Sequence, residues 1–190
     1  YSQAIESSPE DESNYHKILE IQPYNPEICR HLANTLLIKN KLGSAIIFYQ
    51  ICLITEPENS EVHFNLGKIL TKQGYFIEAT SEYKLALEVE KNNSDIYLQL
   101  GIVLAKQERW SEAITSYRRT IEINPNSDFA YNYLGEVLTR VGELEEGIYM
   151  FQQAININPT SPLFHKNLGD ALAKQGKIDE ASAAYTRAIE

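Results

Sequence analysis

Apolar and polar positions along this chain follow a helical beat, and the beat restarts every 34 residues. Asn65-Leu66-Gly67, Gln99-Leu100-Gly101, Tyr133-Leu134-Gly135 and Asn167-Leu168-Gly169 mark the restart without a slip. Around each mark, apolar or aromatic residues fall at i, i+3, i+4 and i+7, as in Tyr97, Leu100, Gly101, Leu104 and Tyr131, Leu134, Gly135, Leu138. That spacing is one face of a helix. A second such face follows, as in Ala79, Tyr83, Ala86, Leu87 and Ala113, Tyr117, Thr120, Ile121, set apart from the first by Gly74, Gly142 or Gly176. Each period therefore predicts a helical hairpin. Copies of a small unit at fixed spacing stack into an extended array, which puts function on a surface rather than in a central core.

Phasing on the small residue gives units 26–59, 60–93, 94–127, 128–161 and a shortened 162–190. Glycine inside a helix costs about 1 kcal/mol against alanine, so Gly67, Gly101, Gly135 and Gly169 predict close approach of the partner helix; Ala33 takes that place in the first unit. The opposing small residues Ala45, Ala79, Ala113, Gly147 and Ala181 fit the same account, with Tyr49, Tyr83, Tyr117, Phe151 and Tyr185 expected to fill the space between hairpins. Pro57, Pro125 and Pro159 close three units, and Ser60, Ser94 or Asp128 is the expected N-cap of the next. Lys91 interrupts the proline series. Upstream, Ser8-Pro9-Glu10-Asp11 reads as a helix start running to about Ile21 and stopped by Pro23, which makes 1–25 an irregular leading segment.

These positions recur in register across five copies, and over residues 26–190 the chain resembles a tetratricopeptide repeat array. His63, His165 and Cys29 depart from the pattern, standing where a large aromatic is usual. The resemblance implies an all-α, right-handed superhelical solenoid of antiparallel helix hairpins whose first helices line a concave groove. By the same resemblance, positions 2, 5, 6, 9, 12 and 13 of each unit face that groove.

The sixth position reads His31, Asn65, Gln99, Tyr133 and Asn167, a column of side chains able to hydrogen-bond. First helices about 10 Å apart would let an extended peptide advance roughly three residues per rung, with amides pairing to its backbone. This is similar to the asparagine ladder of O-GlcNAc transferase arrays. Asn34 and Asn132 lie on the same face. A second column holds Lys72, Lys106, Arg140 and Lys174, with Ile38 in the first unit. Arg30, Lys68, Lys72, Lys106, Arg140, Lys166 and Lys174 face Glu27, Glu61, Asp95, Glu136 and Asp170, so the groove carries +2 on a chain of net charge −9. Two readings of the second column stand: bases that complement the carbonyl ends of their helices, or a field for an acidic segment. Relatives that hold the acidic tails of heat-shock chaperones use bases and asparagines over three units; Arg30, Asn34 and Asn65 match the first part, whereas Asp95 and Gln99 stand where two bases belong.

Composition narrows the field. With 190 residues, 43% apolar and 23% charged, the sequence is that of a soluble, ordered chain; no run of about 18 apolar residues predicts a membrane span, and the acidic balance disfavours nucleic acid. Cys29 and Cys52 lack metal-ligand spacing and read as buried thiols, which suits a reducing, cytoplasmic setting. His16, His31, His63 and His165 share no face, and no phosphate loop, nucleophile elbow or zinc motif appears. No cofactor, metal or catalytic group is expected. Trp110 reads as packing. The leading expectation is a non-catalytic interaction module for a peptide or partner protein. The alternative is the substrate-recognition arm of a larger enzyme such as a glycosyltransferase, because the chain reads as a segment of something longer. An apolar flank of the last helix, Ala181, Ala184, Tyr185 and Ala188, predicts weak end-to-end self-association.

Overall fold

A computed structural model describes residues 24–189, and the chain divides into two compact units, a first through Lys91 and a second from Asn92. The expected helix between Ser8 and Ile21 lies outside the described residues. In the first unit, α1 (Pro26–Ile38) pairs with α2 (Leu42–Thr55), and α3 (Ser60–Gln73) with α4 (Phe76–Val89). In the second, α5 (Ser94–Lys106) pairs with α6 (Trp110–Ile123), α7 (Asp128–Val141) with α8 (Leu144–Ile157), and α9 (Pro162–Lys174) with α10 (Ile178–Ile189). Hairpins also pack on the next hairpin: α2 on α3 in the first unit, α6 on α7 and α8 on α9 in the second. The first helices α5, α7 and α9 touch in succession. The fold is all-α, a solenoid-type stack of hairpins within each unit. None of its helices is long and apolar enough to cross a membrane among the described residues.

Helix starts lie one residue earlier than the sequence pattern suggests. Asn25 Oδ1 accepts from the Ile28 N–H (3.1 Å), Asn59 Oδ1 from Val62 (3.1 Å), and Asn93 Oδ1 from Asp95 (3.0 Å) and Ile96 (3.3 Å). Such a cap is worth about 1 kcal/mol. Ser60 and Ser94, expected as caps, are instead the first residues inside α3 and α5, and Ser60 Oγ donates across the hairpin to the Ala86 carbonyl (3.2 Å). Asp128 is likewise inside α7, behind the N-cap Ser127.

The turns within hairpins need a left-handed residue. Gly74 (φ 84°), Gly142 (φ 98°) and Gly176 (φ 86°) supply it without strain, whereas Asn40 (φ 57°) and Glu108 (φ 59°) occupy the same place after α1 and α5. Second helices end where Glu56, Asn124 and Asn158 precede proline with φ between −126° and −131°. Glu90 reaches a similar geometry (φ −101°, ψ 69°) before Lys91, so the turn forms without proline.

The mid-helix glycines make room for a ring. A Cβ at Gly67, Gly101, Gly135 or Gly169 would lie within 2.5–2.9 Å of ring carbons of Tyr83, Tyr117, Phe151 or Tyr185 on the second helix of the same hairpin. Those aromatics therefore fill the space inside each hairpin, not between hairpins as the sequence suggests. Tyr49, Tyr83, Tyr117 and Phe151 are buried, as are Ala45, Ala79, Ala113, Gly147 and Ala181 opposite them. Cys29 and Cys52 are free, buried thiols of the first core, and burial beside Glu56 pushes Cys52 up to about 11. On α10 the expected exposed flank is corrected: Ala181 and Ala184 are buried against α9, with Tyr185 and Ala188 half-buried.

Candidate functional site

Positions 9 and 13 of all three hairpins in the second unit, with position 6 of the last two and position 12 of the first two, converge on one groove of about 520 Å³. Ile102, Ala105 and Lys106 come from α5, Tyr133, Glu136, Thr139 and Arg140 from α7, and Asn167, Asp170 and Lys174 from α9. Trp110 and Tyr117 of α6 and Phe151 of α8 complete the wall. The 3.6-residue helical turn brings these positions to one side of each first helix, and successive first helices repeat them side by side.

A polar network spans two of those helices. Asn132 is fully buried, and its Nδ2 donates to Glu136 Oε1 (2.7 Å). Asn167 Nδ2 reaches back from α9 to Asn132 Oδ1 (2.9 Å) and to Glu136 Oε1 (2.8 Å). Both N–H bonds of Asn167 are thereby engaged inside the protein, which fixes the orientation of its amide. Next to it, Asp170 accepts from Lys166 Nζ (2.9 Å) and Tyr185 Oη (2.8 Å). Burial works against the Asp170 carboxylate, but these two donors outweigh it and hold the carboxyl below its ordinary range.

The wall is aromatic. Tyr133 stacks near Tyr117 at 5.9 Å between ring centroids, and Phe129 approaches Tyr133 at 6.1 Å. Burial and the nearby Glu136 charge push both Tyr117 and Tyr133 above the usual phenol range, so both stay neutral donors at physiological pH. Trp110, expected as packing, is half-buried on the groove wall with the Arg140 guanidinium 5.3 Å from its ring centroid.

The first unit has a related network built from different positions. Asn34 Nδ2 donates to Glu61 Oε1 (3.2 Å), while Asn34 Oδ1 accepts from the Tyr49 hydroxyl and from Asn65 Nδ2 (3.4 Å). Arg30 approaches Glu61 (3.5 Å) and Glu56 (3.9 Å). Lys68 lies over the Phe64 ring (5.3 Å), Lys72 donates to Asn40 Oδ1 (2.7 Å), and His31 is exposed. Gln99 in the second unit is half-buried and outside the groove lining. His63 and His165 are buried in the packing stripe, and Nε2 of each meets a carbonyl in the turn before its helix, that of Pro57 (2.9 Å) and Pro159 (2.8 Å). His63 Nδ1 also meets Glu82 (2.6 Å). They tie turns to helices in place of an aromatic. Among the described residues no group of three or more His, Cys, Asp or Glu side chains is placed to hold a metal ion.

Family models agree with this architecture: a tetratricopeptide repeat model matches residues 60–93 and 167–190, and a TPR repeat model matches 103–142 and 137–176. The chain belongs to the tetratricopeptide repeat family. No curated protein matches its sequence. Solved structures of similar fold include a MamA protein (TM-score 0.82, 25% identity, 86% of this chain and 90% of that chain). Another is YrrB, described as a TPR protein with an unusual peptide-binding site (TM-score 0.79, 24% identity, 92% and 90%). A third is a MamA from Desulfovibrio magneticus RS-1 (TM-score 0.83, 20% identity, 86% and 93%).

Repeat phase alone identifies which positions of a tetratricopeptide array share a face; it does not reveal which amides are already used. Asn132 carries the same side chain as Asn167, yet one is buried under the groove and the other lines it. Trp110 lies outside the repeat positions assigned to the groove, and its only sequence signal is a large ring at the start of a second helix, next to the turn residue Glu108.

Proposed function

We propose that this tetratricopeptide array is a non-catalytic protein-interaction scaffold, and that the groove of its second unit holds an extended peptide segment of a partner protein. The Asn132–Glu136–Asn167 network is the observation that supports this reading most. With both N–H bonds of Asn167 committed to Asn132 and Glu136, its Oδ1 is the remaining hydrogen-bonding atom. The backbone N–H of an extended ligand is a donor that such an oxygen accepts whatever the ligand's side chains. Tyr133 and Trp110 add flat, half-buried area beside it, and a volume of about 520 Å³ suits a short stretch of peptide. YrrB, a relative in fold, has an unusual peptide-binding site, which is consistent with this use of the family's architecture.

Selecting peptides from a displayed random library against the full chain, then titrating the winners against variants, tests the reading. Asn167→Ala and Tyr133→Ala should each weaken binding about tenfold, the equivalent of 1.4 kcal/mol, with helical circular dichroism unchanged. Selected peptides that bind both variants as tightly as the parent would contradict it.

A further inference from the structure

Lys106, Arg140 and Lys174 each stand in the last turn of a first helix, and all three line the groove described above. Five other cations are engaged by carboxylates: Arg30 by Glu61, Arg109 by Glu112, Arg118 by Glu146, Arg119 by Glu122 and Lys166 by Asp170. Lys68 lies over Phe64, Lys72 donates to Asn40, and the groove's bases differ from the remaining cations in lining one recess together. Among the described residues Lys106, Arg140 and Lys174 form no ion pair within 4 Å, in a chain of net charge −9. Two of the three carboxylates that line the same groove are already bonded within the protein. Glu136 already accepts from Asn132 and Asn167, and Asp170 from Lys166 and Tyr185; Glu108 sits at the rim in the turn before α6. Helix C-termini favour a base at each of these positions, but that does not explain why three bases without an ion pair face one recess in which Glu136 and Asp170 are already hydrogen-bonded within the protein.

Spacing then restricts the ligand's conformation. Helices α5, α7 and α9 are packed neighbours, and packed helix axes lie about 8–10 Å apart, so equivalent residues recur across the groove at about that step. A β-strand returns a side chain to the same face every second residue, at about 6.6–6.8 Å, which falls short. A polyproline II helix returns to the same face every third residue, at about 9.3 Å.

We propose that this groove takes an acidic peptide segment in the polyproline II conformation, with Asp or Glu at every third position and one carboxylate for each of Lys106, Arg140 and Lys174. The intervening residues lie against Trp110 and Tyr133. This rests on the groove being a peptide site and adds the chemistry and register of what it holds. The Arg140 guanidinium, held over the indole, takes the central carboxylate as a charge-assisted pair.

Three labelled synthetic peptides and fluorescence anisotropy with the full chain test it. One is Glu-Pro-Pro-Glu-Pro-Pro-Glu, the second has the same composition in the order Pro-Glu-Glu-Pro-Pro-Glu-Pro, and the third replaces each Glu of the first with Gln. The first should bind at least tenfold more tightly than the other two and weaken as salt rises. Arg140→Gln, and Lys106→Gln combined with Lys174→Gln, should each cost the first peptide tenfold or more. Lys84→Gln, an exposed cation of the first unit, should leave it unchanged. Equal affinity for the two Glu peptides, or a loss from Lys84→Gln as large as that from Arg140→Gln, would overturn the proposal. If library peptides of other chemistry bind the groove while the first peptide does not, the acidic class is wrong and the peptide groove stands. If no peptide of either kind depends on groove residues, both readings fall.

Discussion

At the scale of single residues, the four mid-helix glycines and the rings opposite them are the clearest cause of the fold. Alanine at Gly101 would gain about 1 kcal/mol in helix propensity, but its Cβ would lie 2.5 Å from a ring carbon of Tyr117, which is 1% exposed and hemmed in. Overpacking of a filled core costs about 1–3 kcal/mol, so Gly101→Ala should lower stability despite the better propensity. Urea denaturation checks this, and placing the same substitution in a Tyr117→Leu background should make it neutral or favourable. An equal loss in both backgrounds would mean the ring is not the cause. Periodicity exposes which residues are small and which are aromatic. It cannot tell that each ring faces its own hairpin's glycine, because a face is set by local spacing while the neighbour on that face is set by packing. The same limit applies to polar groups: Asn132 and Asn167 look alike in sequence, and only the contact between α7 and α9 decides that one is buried and the other shown to solvent.

At the scale of elements, nearly everything is legible, because a helix and its stops are written in neighbouring residues. Gly74, Gly142 and Gly176 mark the turns, and the prolines mark the ends of second helices. The caps differ by one residue from the sequence expectation because Asn-Ser at 59–60 and 93–94 offers two good capping side chains in a row. Asparagine takes the cap at both, and serine at 60 finds a carbonyl across the hairpin instead. Asn40 and Glu108 are the element-level exceptions, and Glu108 is the less expected of the two, a glutamate held at φ 59° where three sister turns use glycine. Left-handed backbone costs a non-glycine residue about 1–2 kcal/mol, partly offset by the added freedom glycine brings to the unfolded chain, about 0.5–1 kcal/mol. Glu108→Gly should therefore raise the urea midpoint by the equivalent of about 0.5–1 kcal/mol with an unchanged slope. A lowered midpoint would show that the Glu108 side chain contributes more than its backbone costs.

At the scale of the whole molecule, a repeat array distributes its core along the chain and leaves the chemistry on a face. The two units show what the same plan does with different residues. In the first, Arg30 and Asn34, which resemble parts of a carboxylate clamp, are drawn into contacts with Glu56, Glu61, Tyr49 and Asn65. In the second, Glu136 and Asp170 are hydrogen-bonded within the protein while the bases of the last helical turns form no ion pair, so the groove presents those bases beside aromatic walls and one oriented amide. This contrast is invisible in the sequence, where both stretches carry similar numbers of bases and acids; pairing between hairpins decides which charges remain available.

Trp110 is the chain's single tryptophan and stands on the wall of that groove, so its fluorescence reports on the proposed working surface and nothing else. With a library-selected ligand whose binding is established independently by calorimetry, titration should shift the Trp110 emission and shield it from acrylamide quenching, with the same midpoint as the calorimetric curve. Saturating ligand that leaves both emission and quenching of Trp110 unchanged would contradict the assignment of the second unit's groove as the place where partners are held.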